Sequence, residues 1–210
     1  MKIRIAKITP RSFVDGPGLR SVVFLQGCPI GCPGCQNRHL WPAQGGFVTE
    51  AEDLATTLAL LNRQVTISGG EPFAQPAALA ALVTALRKSG AEHIILYTGY
   101  TWDQLLDPAH PAHHWVWKIL SQVDVLVDGP FIASQDDPFL TYRGSRNQRP
   151  LKLPASLDAW FALGKVVVLD WDNPEIVLTP AGEALMPVGL AEDFAGLGEP
   201  VTARRCGQTR

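Results

Sequence analysis

The sequence predicts an α/β fold in which parallel strands alternate with helices, and two observations support this prediction. Strand, loop and helix candidates follow one another four times at a spacing of about 30 residues, which is typical of βα units. Unusual loops come directly after the strand candidates, at residues 24–37, 69–72, 97–100 and 128–131. Because parallel βα folds gather such loops at one edge of the sheet, these four loops predict a single functional site.

The individual elements are predicted from periodicity and from end signals. After a short candidate at Ile3 and Ile5, strands are expected at residues 21–26, 65–68, 93–97 and 123–127. A capping box at residues 49–52 predicts the start of the first helix. Residues 76–89 are predicted to form a second helix that ends before Gly90. Thr101 and Gln104 are predicted to cap a further helix.

The last part of the chain has weaker periodicity than the first. We therefore expect a core domain over residues 1–150 and a C-terminal extension over residues 151–210. Within the extension, residues 165–169 and 176–178 are strand candidates for a hairpin. Residues 190–210 have little periodicity and are expected to form a loosely held tail, in which Cys206 is not expected to bind a metal.

Composition restricts the class of protein. With 210 residues, 46% of them hydrophobic and 18% charged, the chain resembles an ordinary soluble globular protein. A net charge of −2 gives no reason to expect binding to nucleic acid or to an anionic membrane surface. The chain starts without the apolar run of a signal peptide, and its longest nearly apolar stretch, residues 77–86, is too short to span a bilayer. We expect a cytoplasmic protein with reduced thiols.

The chemistry of the chain is concentrated in residues 24–37, where Cys28, Cys32 and Cys35 lie within eight consecutive residues. The prolines and glycines between them disfavour a regular helix or strand. They favour a curled loop that can aim all three thiols at one point. Three convergent thiolates form a site for a soft metal.

Three occupants of this loop compete. A disulfide would leave one of the three cysteines unpaired and needs an oxidising compartment that nothing in the sequence indicates. A structural zinc site needs a fourth ligand, and His39 completes the pattern Cys28-x3-Cys32-x2-Cys35-x3-His39. A 4Fe–4S cluster held by three cysteines leaves one iron open for a small molecule. The spacing by itself does not decide between zinc and the cluster.

The rest of the chain provides a resemblance. Cys28-x3-Cys32-x2-Cys35 after one strand, together with residues 69–72 after the next, resembles the radical S-adenosylmethionine superfamily. Within it, the chain is most similar to the activating proteins of glycyl-radical enzymes, and among those to the group that serves anaerobic ribonucleotide reductase. The resemblance covers residues 1–150 and rests on four further motifs: 15–20 (DGPGLR), 32–37 (CPGCQN), 124–131 (DVLVDGPF) and 144–149 (GSRNQR).

This resemblance implies a partial parallel (β/α) barrel that carries one 4Fe–4S cluster and binds S-adenosylmethionine at the open iron. One electron would cleave S-adenosylmethionine to methionine and a 5′-deoxyadenosyl radical, which takes a hydrogen atom from the substrate. The implied substrate is a glycine of a partner enzyme, the anaerobic ribonucleotide reductase, and the implied electron donor is a flavodoxin or ferredoxin. The alternatives are another protein or a small molecule as substrate, or a zinc-stabilised binding module without catalysis.

The resemblance also implies roles for single residues. Gly69 and Gly70 would let the backbone approach the methionine end of the cofactor, and Glu71 would set the polar contacts beside it. Asp15 and Arg20 belong to a loop similar to the one that meets the target glycine. Without the resemblance, both motifs read as turns between elements.

The implied metal ligands are Cys28, Cys32 and Cys35, which would each bind one iron. Asp128 would bind a cation or the carboxylate region of the cofactor, and Ser145 and Asn147 would contact the cofactor or the partner. From the residues alone, Asp128 can equally cap a turn, and Ser145 and Asn147 can equally belong to a solvated polar loop.

Overall fold

The computed structural model describes residues 1–154, 166–172, 177–178 and 184–185. The chain forms two compact units, Met1–Leu169 and Asp170–Arg210. The division into residues 1–150 and 151–210 remains a prediction, and Cys206 lies outside the described residues.

An eight-stranded mixed sheet forms the first unit. Its strands are β1 (Lys2–Ser12), β2 (Arg20–Leu25), β3 (Phe47–Glu50), β4 (Gln64–Gly69), β5 (His93–Tyr97), β6 (Val125–Asp128), β7 (Arg149–Lys152) and β8 (Val167–Val168). They are ordered β3-β1-β2-β4-β5-β6-β7-β8. The central strands β2, β4, β5 and β6 run parallel, whereas β1, β3, β7 and β8 pair antiparallel with their neighbours.

The predicted α/β class is confirmed, and the four central strands are the predicted ones. The sheet runs from β3 at one edge to β8 at the other and does not close on itself, so a barrel is not confirmed. The two strands predicted to form one hairpin, at residues 165–169 and 176–178, have other partners in their described parts. Strand β8 pairs with β7, and β9 (Val177–Leu178) pairs with β10 (Ala184–Leu185) in the second unit.

Helices cover one face of the sheet. They are α1 (Ala51–Leu61), α2 (Pro76–Lys88), α3 (Trp102–Leu106) and α4 (His113–Leu120). Leu58, Leu82 and Ile119 are fully buried among them and pack with strand residues such as Ile67 and Leu96. Because burial of apolar surface drives folding, this layer forms the main core of the described residues. No helix among the described residues is long and apolar enough to cross a membrane.

One predicted helix cap is present and another is not. Thr101 and Gln104 form a full capping box at the start of α3, as predicted. The capping box predicted at residues 49–52 is wrong, because β3 continues to Glu50 and no side chain caps α1. The Glu52 carboxylate instead binds the N-terminal ammonium of Met1 at 2.8 Å.

Among the described residues, a loop covers the opposite face of the sheet. Thr66 and Tyr97 alternate with the core residues of β4 and β5 and therefore point to this second face. The hydroxyl of Thr66 donates a hydrogen bond to the backbone oxygen of Asp15 at 2.8 Å, which holds residues 13–19 against the sheet. The unusual loops meet on this second face, close to the carboxyl ends of the parallel strands.

Candidate functional site

The cysteine loop, residues 26–37, leaves β2 and curls as predicted. Gly31 and Gly34 have φ of 65° and 82°, a region that side chains with a Cβ rarely adopt. The backbone nitrogens of Gly27 and Cys28 donate to the carbonyl oxygens of Leu40 and Trp41, which closes the loop on itself.

The three cysteines of this loop share one small cavity of about 140 Å³. Cys28, Cys32 and Cys35 are free, half-buried thiols. Burial raises the pKa of the Cys28 thiol, and hydrogen bonds from nearby backbone amides partly offset this rise. The backbone nitrogen of Asn37 donates a hydrogen bond to Cys35 Sγ at 3.4 Å.

The zinc alternative requires His39 as a fourth ligand beside the three cysteines. Among the described residues, no group of three His, Cys, Asp or Glu side chains lies close enough to hold one metal ion. His39 is exposed and does not line the cavity. In a 4Fe–4S cluster each cysteine binds a different iron, so its ligands are spread more widely than those of a zinc ion.

The loop after β4, residues 69–72, is bonded directly to the cysteine loop. The backbone nitrogens of Gly70 and Glu71 donate to the carbonyl oxygens of Leu25 and Gly27, both at 2.8 Å. A Cβ atom on Gly70 would lie 2.3 Å from the carbonyl oxygen of Gly27, so only glycine fits there. The same cavity is lined by Gly69, Gly70 and Glu71 as well as by the cysteines.

Glu71 is a buried carboxylic acid in this cavity, with 1% of its surface exposed. It accepts hydrogen bonds from the backbone nitrogens of Phe73 and Gly99 and from the hydroxyl of Thr98, at 2.8 to 2.9 Å. Burial raises the pKa of Glu71 to about 7, although these three donors favour the ionised form. The side chain can therefore change its charge near neutral pH.

A larger cavity of about 610 Å³ adjoins the small one. It is bordered by the loop at residues 13–15, the cysteine loop and residues 131–144. The two cavities share a wall formed by Cys35, Asn37, Ser68, Tyr97, Phe131 and Gln148. A molecule in the small cavity is therefore within reach of one in the large cavity.

The two predicted site residues of the motif at residues 15–20, Asp15 and Arg20, lie in different environments. Asp15 lines the large cavity, and its carboxylate accepts a hydrogen bond from the hydroxyl of Ser12 at 2.5 Å. Arg20 is 1% exposed and lines neither cavity. Its guanidinium donates to the hydroxyl of Thr66 and to the backbone oxygens of Pro17 and Val65. Arg20 thus lies beneath the loop that carries Asp15.

Three other predicted residues, Asp128, Ser145 and Asn147, line neither cavity. Asp128 is 1% exposed and accepts hydrogen bonds from the backbone nitrogen of Trp102 and from two nitrogens of Arg149. The hydroxyl of Ser145 accepts from the backbone nitrogen of Ile132, and the amide of Asn147 donates to the backbone oxygen of Pro130. All three hold the loops around the cavities in place.

The sequence analysis did not single out Gln148, Tyr97 or Phe131, although all three line both cavities. Gln148 accepts from the backbone nitrogen of Gly144 and donates to the backbone oxygen of Gly129. The hydroxyl of Tyr97 donates to the backbone oxygen of Tyr142 at 2.6 Å, and burial raises its pKa, so the phenol stays protonated. Tyr97 ends the predicted strand at residues 93–97, and Phe131 and Gln148 lie within the motifs at residues 124–131 and 144–149. These positions could have indicated that all three belong to the site.

Comparison with known proteins identifies the family. The family described as "4Fe-4S single cluster domain" matches residues 14–151, a span that holds all three cysteines of the loop. The chain belongs to this iron–sulfur family. The predicted 4Fe–4S cluster is thereby confirmed over the zinc alternative.

Named relatives of this iron–sulfur protein agree with one another. The anaerobic ribonucleoside-triphosphate reductase-activating protein of Vibrio cholerae is 36% identical over 149 residues, which are 66% of this chain and 91% of that protein. The protein of the same name from Escherichia coli K12 is 32% identical over 66% of this chain and 92% of its own length. The chain therefore belongs to the family of these activating proteins, as the sequence motifs predicted.

A solved structure is also similar in part. The crystal structure of QueE from Escherichia coli matches 48% of this chain and 54% of its own, with 24% identity and a TM-score of 0.40. This likeness is too slight to support a conclusion about the fold or the site.

Proposed function

We propose that this chain reductively cleaves S-adenosylmethionine and uses the resulting radical to generate a glycyl radical on a partner, an anaerobic ribonucleoside-triphosphate reductase. One observation carries the proposal. The three cysteines and residues 69–71 line a small cavity that shares a wall with a larger, open one. The names of the relatives point to the same partner.

When bound, the 4Fe–4S cluster and S-adenosylmethionine supply a one-electron bond cleavage and a carbon radical that removes a hydrogen atom from the substrate. Cys28, Cys32 and Cys35 hold the three irons that the protein itself ligates. Gly69 and Gly70 are proposed to place the backbone of residues 69–71 beside the methionine end of the cofactor, because their lack of side chains lets this loop pack on the cysteine loop. Glu71 is proposed to supply polar contacts there.

Asp15 is proposed to meet the target segment of the partner, because its carboxylate lines the large cavity. Arg20 is proposed to position Asp15 rather than to touch the substrate. Its guanidinium bonds Thr66, whose hydroxyl in turn donates to the backbone oxygen of Asp15. Holding reacting groups at fixed positions is a large part of catalysis.

Asp128, Ser145 and Asn147 are proposed to affect cofactor binding through the loops that they brace. Asp128 joins β6 to Arg149 and to the start of α3, and the other two bond the segment after β6. We also propose that the sheet curves as a partial (β/α) barrel around the two cavities, with their loops at one end.

The electron is proposed to come from a separate protein such as a flavodoxin or ferredoxin. The chain has four cysteines, and three of them form the loop that holds the cluster. One remaining cysteine cannot hold a second cluster. An external one-electron donor is therefore part of the proposal.

The first test is anaerobic reconstitution with iron and sulfide, followed by dithionite reduction and EPR spectroscopy. We expect a reduced-cluster signal that changes when S-adenosylmethionine is added, together with 5′-deoxyadenosine. With the reductase present, a glycyl-radical signal should appear on the partner, and Cys32→Ala should abolish it. Formation of 5′-deoxyadenosine without any radical on the reductase would indicate that the substrate is another protein or a small molecule.

A further inference from the structure

The aromatic ring of Phe131 occupies a slot between two glycines. A Cβ atom on Gly34 would lie 3.3 Å from Phe131 Cε1, and a Cβ atom on Gly144 would lie 3.1 Å from Phe131 Cδ2. Both distances are tighter than ordinary van der Waals contact. The ring is therefore held between the cysteine loop and residues 141–148 because neither neighbour has a side chain.

This slot lies where the two cavities meet, since Phe131 lines both of them. Among the side chains that form the shared wall, Phe131 is the purely hydrocarbon one. Asn37, Ser68 and Gln148 are polar, and the hydroxyl of Tyr97 is bonded to the backbone of residue 142. Phe131 thus supplies the hydrocarbon part of the wall between the two cavities.

The proposed function requires the nucleoside part of the cofactor to lie at this boundary. The methionine end belongs with the cysteines and residues 69–71, whereas the carbon that receives the hydrogen atom must face the larger cavity. The ribose and base are therefore close to the shared wall. A purine has polar edges and two flat π faces, and these faces stack favourably on an aromatic side chain.

We propose that the ring of Phe131, fixed in the slot between Gly34 and Gly144, forms the wall against which the adenine of S-adenosylmethionine stacks. Phe131 is then a cofactor-specificity residue supplied by the loop after β6, outside the cysteine motif. This proposal rests on the function proposed above. It gives a reason for glycine at position 144, whereas position 34 also requires glycine because of its φ of 82°.

The test compares binding of two probes to the reconstituted, cluster-loaded protein by equilibrium dialysis. S-adenosylmethionine has the adenine, whereas free methionine has the part that belongs near the cluster. Because aromatic stacking on a base is lost with the ring, Phe131→Ala should weaken binding of S-adenosylmethionine by roughly 5- to 150-fold. Binding of methionine should change by less than about two-fold, within experimental scatter on that scale.

Phe139→Ala is the matched control, because this phenylalanine is 89% exposed and lines neither cavity. It should bind both probes as the unchanged protein does. Phe131→Tyr keeps the aromatic ring and should retain most of the affinity for S-adenosylmethionine. Phe131→Leu keeps apolar volume without the ring and should lose this affinity as Phe131→Ala does. Iron content and thermal unfolding are measured for each variant, and Phe131→Leu carries the comparison if Phe131→Ala does not fold.

The slot itself is tested with Gly144→Ala, whose added methyl group must push the ring by a few tenths of an ångström. We expect weaker binding of S-adenosylmethionine from this change and little further loss when it is combined with Phe131→Ala.

The proposal is overturned if Phe131→Ala binds S-adenosylmethionine as the unchanged protein does. It is also overturned if the affinities for both probes fall equally, which would make the ring a general support of the cavity. If the unchanged protein itself binds no S-adenosylmethionine, the proposed function fails instead.

Discussion

The backbone nitrogen of Glu71 donates a hydrogen bond to the carbonyl oxygen of Gly27 over 2.8 Å. This bond joins the ends of two neighbouring parallel strands, β2 and β4, beyond the last paired residues of the sheet. It brings a buried carboxylic acid and the first cysteine of the loop into one small cavity. The geometry of the site therefore depends on close backbone contact between two loops.

Replacing Gly70 with alanine tests this contact. The added Cβ would lie 2.3 Å from the carbonyl oxygen of Gly27, and neither loop can move without breaking the hydrogen bonds between them. We expect a loss of about 2–3 kcal/mol in the free energy of unfolding and a lower iron content after reconstitution. Gly90→Ala is the control, because its neighbours leave room, so that the change costs about 1–2 kcal/mol for the positive φ alone and should leave the iron content unchanged. Equal losses from the two changes would contradict the prediction.

The raised pKa of Glu71 predicts a pH dependence of stability in the apoprotein. The folded-state pKa of about 7 lies above the ordinary value of 4.5, so the folded protein holds this proton more tightly than the unfolded chain does. The stabilising effect is complete below pH 4.5 and is lost as the pH rises to about 7, a change of about 3 kcal/mol.

This dependence is measured as the difference in unfolding free energy between the unchanged protein and Glu71→Gln, by urea denaturation from pH 4.5 to 7.5. Glutamine does not ionise, so the difference should shift in favour of the variant as the pH rises. A difference that stays constant over this range would refute the assigned pKa.

The pair formed by Asp128 and Arg149 predicts an asymmetry between two substitutions. The carboxylate of Asp128 is 1% exposed, whereas the side chain of Arg149 is 45% exposed. Arg149→Met leaves a buried charge without its partner, while Asp128→Asn lets the arginine turn to water and keeps an acceptor for the backbone nitrogen of Trp102. We expect Arg149→Met to be the more destabilising by about 1–2 kcal/mol in urea unfolding, after allowing for screening by solvent. The reverse order would contradict the buried-carboxylate explanation.

Removing His39 distinguishes the cluster from the zinc site. The His39 side chain is exposed and does not line the small cavity, so His39→Ala should retain iron and sulfide and keep its visible absorption. Cys32→Ala should lose both, because one of three protein ligands is gone. Metal analysis after anaerobic reconstitution measures the result. Loss of the metal from His39→Ala, with zinc in the unchanged protein, would restore the binding-module alternative.

Local patterns predicted the features that depend on neighbouring residues. The capping box at Thr101 and Gln104 is present because both partners lie within one turn of helix. The capping box predicted at residues 49–52 is absent because the pairing of β3 with β1 and the terminal ammonium of Met1 compete for the same residues. Competition of this kind involves residues far apart in the chain and leaves no local signal.

Short-range patterns in the sequence are enough to predict the alternation of strands and helices, the curled cysteine loop and the position of each unusual loop after a strand. These depend on periodicity and on turn chemistry, which are local properties. Two features could not be predicted from such patterns: Asp15 lines a cavity while Arg20 is buried, and Phe131 lies between Gly34 and Gly144. The contacts that fix these positions join residues from different strands and loops, so they arise only when the sheet brings the loops together.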